Sequence, residues 1–482
     1  MRTSVTHPIQ IAAVSTGLDM GRIGVTFCPG KRQPHAATGG WDRQLDLDLA
    51  AIAAWGAVAI VTLVEPAELI DLGVANLGAE VSKRHVDWLH LPIHDFSTPS
   101  SAFEAQWEIA GEALRGRLRA RFDILLHCKG GLGRAGMIAA RLLAELGTEP
   151  AQAVEMVRAA RPGAIETQKQ LDLVLATKPI PELQPATSFG AIRARAIASL
   201  LGLAIGDAVG TAVEFRRRGT FPRVTDMVGG GPFNLPPGGW TDDTSMSLAL
   251  ASSLVHNPDL DPQDLMERFA DWFRNGAWSH NGKCFDIGLT TRQAIGLWER
   301  TGNPFAGSGD PKSAGNGSLM RLAPVAIRHH RDRSKLRDVA ARQSRVTHAA
   351  PEAIEACVGF AEVLADAIEG APRSLVLARR SAIAGETGKV LAGGWRGKRR
   401  DDVRSSGFVV HTLDAAMWST GASGSFREAV LRAANLGDDA DSVAAVAGQL
   451  SGALAGADAL PKDWLEKLAW RQKIRGLADA LL

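Results

Sequence analysis

A change of rhythm near residue 180 constrains this chain more than any other feature. From Ile9 to Leu175, short apolar runs alternate with segments whose apolar residues recur at helical spacing, the pattern of an α/β domain built on a central sheet. Strands are expected at 9–14, 23–27, 57–64, 86–91 and 124–127, and helices at 46–55 and 103–119, among others. Pro179, Pro181 and Pro185 then fall close together, followed by Ala186, Thr187 and Ser188, a run that cannot continue a helix and suits an extended connector. From Ala191 onward the alternation stops, and Ala- and Leu-rich helical segments between Gly- and Pro-rich loops imply an all-α domain. The expected organisation is an α/β domain over 1–178, a Pro-rich linker over 179–190 and an all-α domain over 191–482.

Several function classes drop out on composition. Charge is nearly balanced, with 54 basic against 52 acidic residues, so no global attraction to nucleic acid or to a membrane is implied. Residues 1–10 lack the basic start and apolar core of a secretory signal, and no stretch reaches the uninterrupted apolar length of a membrane span. A cytoplasmic enzyme is the expectation. Cys28, Cys128, Cys284 and Cys357 are too few and too scattered for a disulfide framework or a zinc ribbon. Tyrosine is absent, so any ring-stacking role falls to the 15 Phe and 12 Trp.

Two places carry chemistry. The first is His127-Cys128-Lys129-Gly130-Gly131-Leu132-Gly133-Arg134, which leaves an expected strand and enters an expected helix. Glycines let the backbone curl so that successive amides point inward, a cradle for a tetrahedral anion at a helix start. That field favours the thiolate of Cys128 as a nucleophile, and Arg134 can return across the loop to grip two phosphate oxygens. A Gly-rich turn holding a buried cysteine is the plainer reading, and Arg134 weighs against it.

The second place is a pair of acidic knots almost two hundred residues apart. Trp240-Thr241-Asp242-Asp243-Thr244-Ser245-Met246 opens one apolar helix, and Gly437-Asp438-Asp439-Ala440-Asp441-Ser442 opens another. Each alone reads as a helix cap. Together, oxygen-rich and free of His or Cys, they suit a hard divalent cation such as Mg²⁺ or Mn²⁺.

The cysteine loop, with His94-Asp95-Phe96-Ser97-Thr98-Pro99 and Arg161-Pro162-Gly163-Ala164-Ile165-Glu166-Thr167, resembles the protein tyrosine and dual-specificity phosphatases over about residues 20 to 176, closest to their cyclin-dependent-kinase-associated branch. The resemblance implies Cys128 as nucleophile, Asp95 as general acid, and Lys129, Gly130, Gly131, Leu132, Gly133 and Arg134 as the phosphate-binding loop, with no cofactor. Glu166 and Gln170 fall in a loop that positions the hydrolytic water. Glu166 stands where many relatives carry glutamine, and Ala135 stands where Ser or Thr is usual, so a slower phosphatase is expected. His94 and His127 are expected to be structural, His127 orienting the loop from behind the cysteine.

From about Ile192 onward the chain resembles the ADP-ribosylglycohydrolases in six segments: 202–210, 241–244, 284–288, 315–321, Thr347-His348 and the second acidic knot. The resemblance implies an all-α fold binding two divalent cations, Mg²⁺ or Mn²⁺, through Thr241, Asp242, Asp243, Asp439, Asp441 and Ser442. It implies an ADP-ribose site at Asp286, Gly288, Gly315, Asn316, Gly317, Ser318, His348 and Phe408. Glu214 is either catalytic or a support to the site, Asp207 a brace, and Asp438 not a ligand. His348 is either a phosphate or ribose contact or a core histidine; Phe408 either stacks on adenine or is core. The implied whole is a bifunctional hydrolase acting on a phosphorylated substrate and on an ADP-ribosylated protein, through arginine, or a small-molecule acceptor. The competing view makes one half a non-catalytic reader of phosphate or ADP-ribose.

Overall fold

The computed structural model describes residues 1–36, 39–380 and 385–482. The chain divides into two compact units, Met1–Glu182 and Leu183–Leu482.

The first unit is built on a sheet of five strands: β1 (Ala12–Ser15), β2 (Arg22–Phe27), β3 (Ala57–Thr62), β4 (Asp87–His90) and β5 (Asp123–Cys128), in the order β1-β2-β5-β3-β4. Only β1 runs antiparallel to its neighbour; β2, β3 and β4 pair in parallel, β5 lying between β2 and β3. Central parallel strands are covered on both faces, which is why β3 reads Ala-Val-Ala-Ile-Val-Thr without a polar alternation and every residue in it is buried. Helix α1 (Ser101–Arg119) is capped by Ser100, whose hydroxyl accepts from Phe103 N–H. Helix α2 (Gly133–Glu145) follows β5 directly and buries all but one of its residues. Cys128 therefore ends a central strand at the carboxyl edge of the sheet, where open α/β folds place their ligands.

Among its described residues the second unit is helical, as the loss of alternation implies. Helix α3 (Phe189–Gly210) packs along α5 (Ala440–Ala455) through a seam of small residues, and α4 (Asp242–His256) joins them. Gly202, Gly206 and Gly210 recur every fourth residue and so share one face of α3. A Cβ at Gly206 would lie 2.1 Å from Ala444 O, and one at Gly202 would lie 2.3 Å from Gly448 O. Gly448 returns the contact, its Cβ position being 2.0 Å from Gly202 O. Only hydrogen fits between these two backbones.

One expectation is corrected here. Phe189–Val213 does meet the length and apolarity of a membrane span, because the seam demands glycine and alanine and most positions from Arg195 onward are core. Within its most apolar window 94% of the helix is buried inside the fold.

Candidate active sites

In the first unit the loop after β5 curls around the sulfur of Cys128, and Gly131 N–H donates to Cys128 Sγ at 3.2 Å. Gly131 has φ 71°, and a Cβ there would meet the backbone of Thr26 at 2.5 Å, so this bend needs glycine. Arg134 is buried and pairs in bidentate fashion with Glu68, Nη1 to Oε2 at 2.5 Å and Nη2 to Oε1 at 3.0 Å. It also donates to Ile93 O at 2.9 Å, and its Nη2 lies 2.9 Å from Asp95 Oδ1. Cys128 and Arg134, from one loop, and Asp95, from a separate segment, thus converge on one place.

Sequence reasoning missed the supports of this loop. Burial pushes the Glu68 carboxyl up, but the bonds from Arg134 outweigh it and leave the group below its ordinary value. Glu68 belongs to a short helix, Pro66–Asp71, where it forms a capping box with Glu65; that local pattern was legible, its pairing with Arg134 was not. Arg161 donates to Gly131 O at 3.1 Å and to Gly130 O at 3.2 Å, bracing the loop by its carbonyls. Lys31 Nζ reaches Lys129 O at 3.3 Å. His127 is fully buried, bonds Thr62 Oγ1 at 2.7 Å and is pushed down to about 3 by burial, so it is neutral and lies behind the loop. His94 is exposed beside Glu65. Gln170 is held at both ends: its Oε1 accepts from Glu166 N–H and Thr167 N–H, and its Nε2 donates to Ser97 O at 3.2 Å. It therefore ties the segment holding Glu166 to the loop that carries Asp95.

In the second unit the two acidic knots meet. Neither Thr241 nor Asp439, the residues preceding α4 and α5, caps its own helix with its side chain. Asp207, reaching over from α3, does that for α4: its carboxylate accepts from Thr241 N–H at 2.8 Å and Thr244 N–H at 3.0 Å, and from both threonine hydroxyls. The capping reading of Asp242 and Asp243 is thereby removed, and both are free to face elsewhere. Carboxylate oxygens of Asp242, Asp243 and Asp441 lie within 4.8 Å of one another, as do those of Glu214, Asp286 and Asp441. Thr241 Oγ1 is 3.3 Å from Asp441 Oδ2, and Ser442 Oγ is 3.4 Å from Asp243 Oδ2. Asp439 accepts from Asn316 Nδ2 at 2.5 Å.

So many buried carboxylates in one place raise one another. Burial and the neighbouring carboxylates hold Asp242, Asp243 and Asp441 well above the ordinary range and push Glu214 up to about 12. Asp286 rises to about 7, burial being the main cause, and Asp439 to about 6. Asp243 Oδ1, Asp441 Oδ1 and Glu214 Oε2 are buried without a hydrogen-bond partner. Orphaned oxygens of this kind are the donor set of a hard cation, and the residues present fit one.

A cavity of about 320 Å³ opens from this cluster. Its walls include Glu214, Asp242, Asp286, Gly288, Gly315, Asn316, Gly317, His348, Asp439, Asp441 and Ser442. Thr241 and Asp243 lie just behind, fully buried. His348 is neutral, pushed down to about 3 by burial, and its Nδ1 is 2.9 Å from Thr347 Oγ1. It presses against Gly317, where a Cβ would lie 2.7 Å from its ring. Two expected contacts are not on the wall. Ser318 is turned into the core, its Oγ 2.8 Å from Ser344 Oγ. Phe408 sits at the start of Val409–Gly421 and meets His411 edge-on, the ring centroids 5.0 Å apart. The cavity wall there is Gly407. Asp438 is left-handed at φ 56° and turns to Ser405, away from the cluster. Other wall residues, among them Phe215, Ile287 and Met320, carried no signal beyond their neighbours.

Comparisons with known proteins agree with this division. Residues 190–482 match the ADP-ribosylglycohydrolase family, and residues 40–174 match the DSP-PTPase phosphatase domain of Swiss Army Knife proteins. The ADP-ribosylarginine hydrolase Tri1 of Pseudomonas putida is 49% identical over 290 residues, 60% of this chain and 77% of that protein. The ADP-ribosyl-[dinitrogen reductase] glycohydrolase of Rhodospirillum rubrum is 32% identical over 296 residues, 60% of this chain and 95% of that one. A solved ADP-ribosylglycohydrolase-related protein complex superposes with a TM-score of 0.54 at 40% identity, covering 60% of this chain and 97% of its own. ADP-ribosylglycohydrolases depend on metal, which accords with the clustered carboxylates. The chain belongs to the ADP-ribosylglycohydrolase family and carries, ahead of that region, a phosphatase domain of the dual-specificity type.

Proposed function

We propose that the second unit releases ADP-ribose from modified arginine on a protein, and that the first hydrolyses phosphomonoesters through a phosphocysteine at Cys128. The observation that carries the first part is the convergence of two distant acidic knots on one cavity, with Asp441 common to both carboxylate groups. The relatives named for ADP-ribosylarginine and for dinitrogen reductase support arginine as the acceptor.

Thr241, Asp242, Asp243, Asp439, Asp441 and Ser442 would hold two divalent cations, Mg²⁺ or Mn²⁺, which when bound supply Lewis-acid polarisation and a binding point for ribose hydroxyls. The chain's own residues do the rest. Asn316 fixes Asp439, and Asp207 fixes Thr241, so the donors are set before substrate arrives. Gly315 and Gly317 allow a diphosphate to approach the backbone closely, with neutral His348 beside it. Glu214 and Asp286 face each other at the acidic end, where the sugar carbon that loses its nitrogen would lie.

In the first unit Cys128 Sγ attacks phosphorus while the bond to the ester oxygen breaks and Asp95 gives that oxygen a proton. Water then attacks the phosphocysteine, Asp95 takes the proton, and phosphate leaves with the sulfur restored as thiolate. Arg134 grips the oxygens that gather charge.

The test is a panel of ADP-ribosylated acceptors assayed with and without chelator, alongside an aryl phosphate. Release from arginine that requires a divalent cation and is lost in Asp441→Ala supports the first part. Aryl phosphate turnover lost in Cys128→Ser supports the second, and turnover that survives Cys128→Ser refutes it.

A further inference from the structure

We infer that Glu166 is a built-in competitor of the phosphoryl group, setting how tightly the cysteine loop holds phosphate. This rests on that loop being a phosphate cradle, as proposed above. Gly133 opens α2, and its N–H is one of the donors a helix start leaves without an internal partner. It is the last amide before Arg134 in the loop read above as a phosphate cradle. In this structure that donor is taken: Gly133 N–H donates to Glu166 Oε2 at 2.7 Å. A Cβ on Gly133 would lie 2.5 Å from the same oxygen, so the close approach depends on glycine.

A carboxylate oxygen on a cradle amide stands where an oxygen of the tetrahedral anion would bond. Phosphate must therefore displace Glu166, and the displaced carboxylate stays nearby. The backbone of Glu166 is held by Gln170 Oε1 at 3.0 Å, and Gln170 is itself anchored to Ser97. Only the side chain can swing aside, which leaves its charge at the rim, repelling a dianion. Glu166 is exposed, so leaving is easy and the effect is a modulation rather than a block. Glutamine at this position keeps the shape and removes the charge. Alanine also frees the amide.

The experiment measures inorganic phosphate binding by calorimetry and aryl phosphate kinetics for wild type, Glu166→Gln, Glu166→Ala and Asp172→Asn, in the full chain. Asp172 is the control: it sits on the following helix, bonds Gln168 and touches no loop amide. The expected result is a phosphate affinity raised about 3- to 10-fold in both Glu166 variants and a KM lowered by a similar factor. Asp172→Asn should change nothing. Unchanged or weaker phosphate binding in both Glu166 variants overturns the inference, as does an equal gain in Asp172→Asn, which would make it a general charge effect. If phosphate binds neither wild type nor any variant, the cradle reading falls as well, and the two failures are thus told apart.

Discussion

Replacing Gly206 with alanine tests whether the seam between α3 and α5 holds the acidic cluster together. The new Cβ would lie 2.1 Å from Ala444 O and 2.5 Å from Ala444 C. Nonbonded carbons rest about 3.5 Å or more apart, so the helices must part by on the order of 1 Å. Alanine returns about 1 kcal/mol of helix propensity, while overpacking a tight interior costs about 1–3 kcal/mol. Gly202 and Gly448 are equally close to opposing carbonyls, so the strain has nowhere to relax and the upper end applies. The net loss is about 2 kcal/mol, a fall in Tm of roughly 4–8 °C. The same movement acts on the site, because α5 begins with Asp439, Asp441 and Ser442 while Asp207, next to Gly206, holds Thr241. Divalent cation affinity should drop about 10-fold or more. Thermal denaturation and Mn²⁺ titration calorimetry read both effects, with Gly476→Ala as the control. Gly476 lies in Arg471–Ala480 with nothing within 4 Å of its Cβ position, and alanine there should be neutral or stabilising. A Gly206→Ala protein with unaltered Tm and unaltered cation affinity would refute the reasoning.

Three further outcomes are expected. Chelation should lower the Tm of the second unit by roughly 5–10 °C, since a cation present at 100 times its Kd contributes about 2.7 kcal/mol; this difference should vanish in Asp441→Asn, and a chelator-insensitive wild type would contradict the cation site. Glu68→Gln should cut kcat/KM for an aryl phosphate by on the order of 100-fold by loosening Arg134, and steady-state kinetics indistinguishable from wild type would exclude that role. Burial raises the Asp226 carboxyl, but bonds from Trp464 and Lys467 outweigh it and hold the group down to about 2. Its stabilisation is thus present above the unfolded value near 3.9 and is lost as pH falls through about 2. With its side chain 41% exposed, Asp226→Asn should cost only about 0.5–1 kcal/mol at pH 7 and much less at pH 2, as denaturant melts at the two pH values would show.

The features legible in the sequence were those written in short stretches. Strand runs such as Ala57–Thr62, the return from Cys128 to Arg134, and the carboxylates of the two knots all announce themselves within a few residues. What the sequence left dark was pairing across distance. Glu68 meets Arg134 from 66 positions away, and nothing in either neighbourhood records it. Asp207 was placed as a brace, but that it caps α4 from another helix follows only from the fold. Ser318 follows Gly317 in a promising loop, yet the next turn of backbone sends its hydroxyl toward Ser344. The membrane-like composition of Phe189–Val213 was misjudged for a related reason: a helix apolar on every side is what a fully surrounded core element must be.

The bonds that Asp207 makes have a genetic corollary. Asp207 belongs to neither group of clustered carboxylates, yet it satisfies the amides at the start of α4, which would otherwise draw on Asp242 and Asp243. Variants at position 207 should therefore mimic loss of one of the proposed cation ligands while all of those residues are still there, and a screen for inactive mutants would return it beside Asp242 and Asp441.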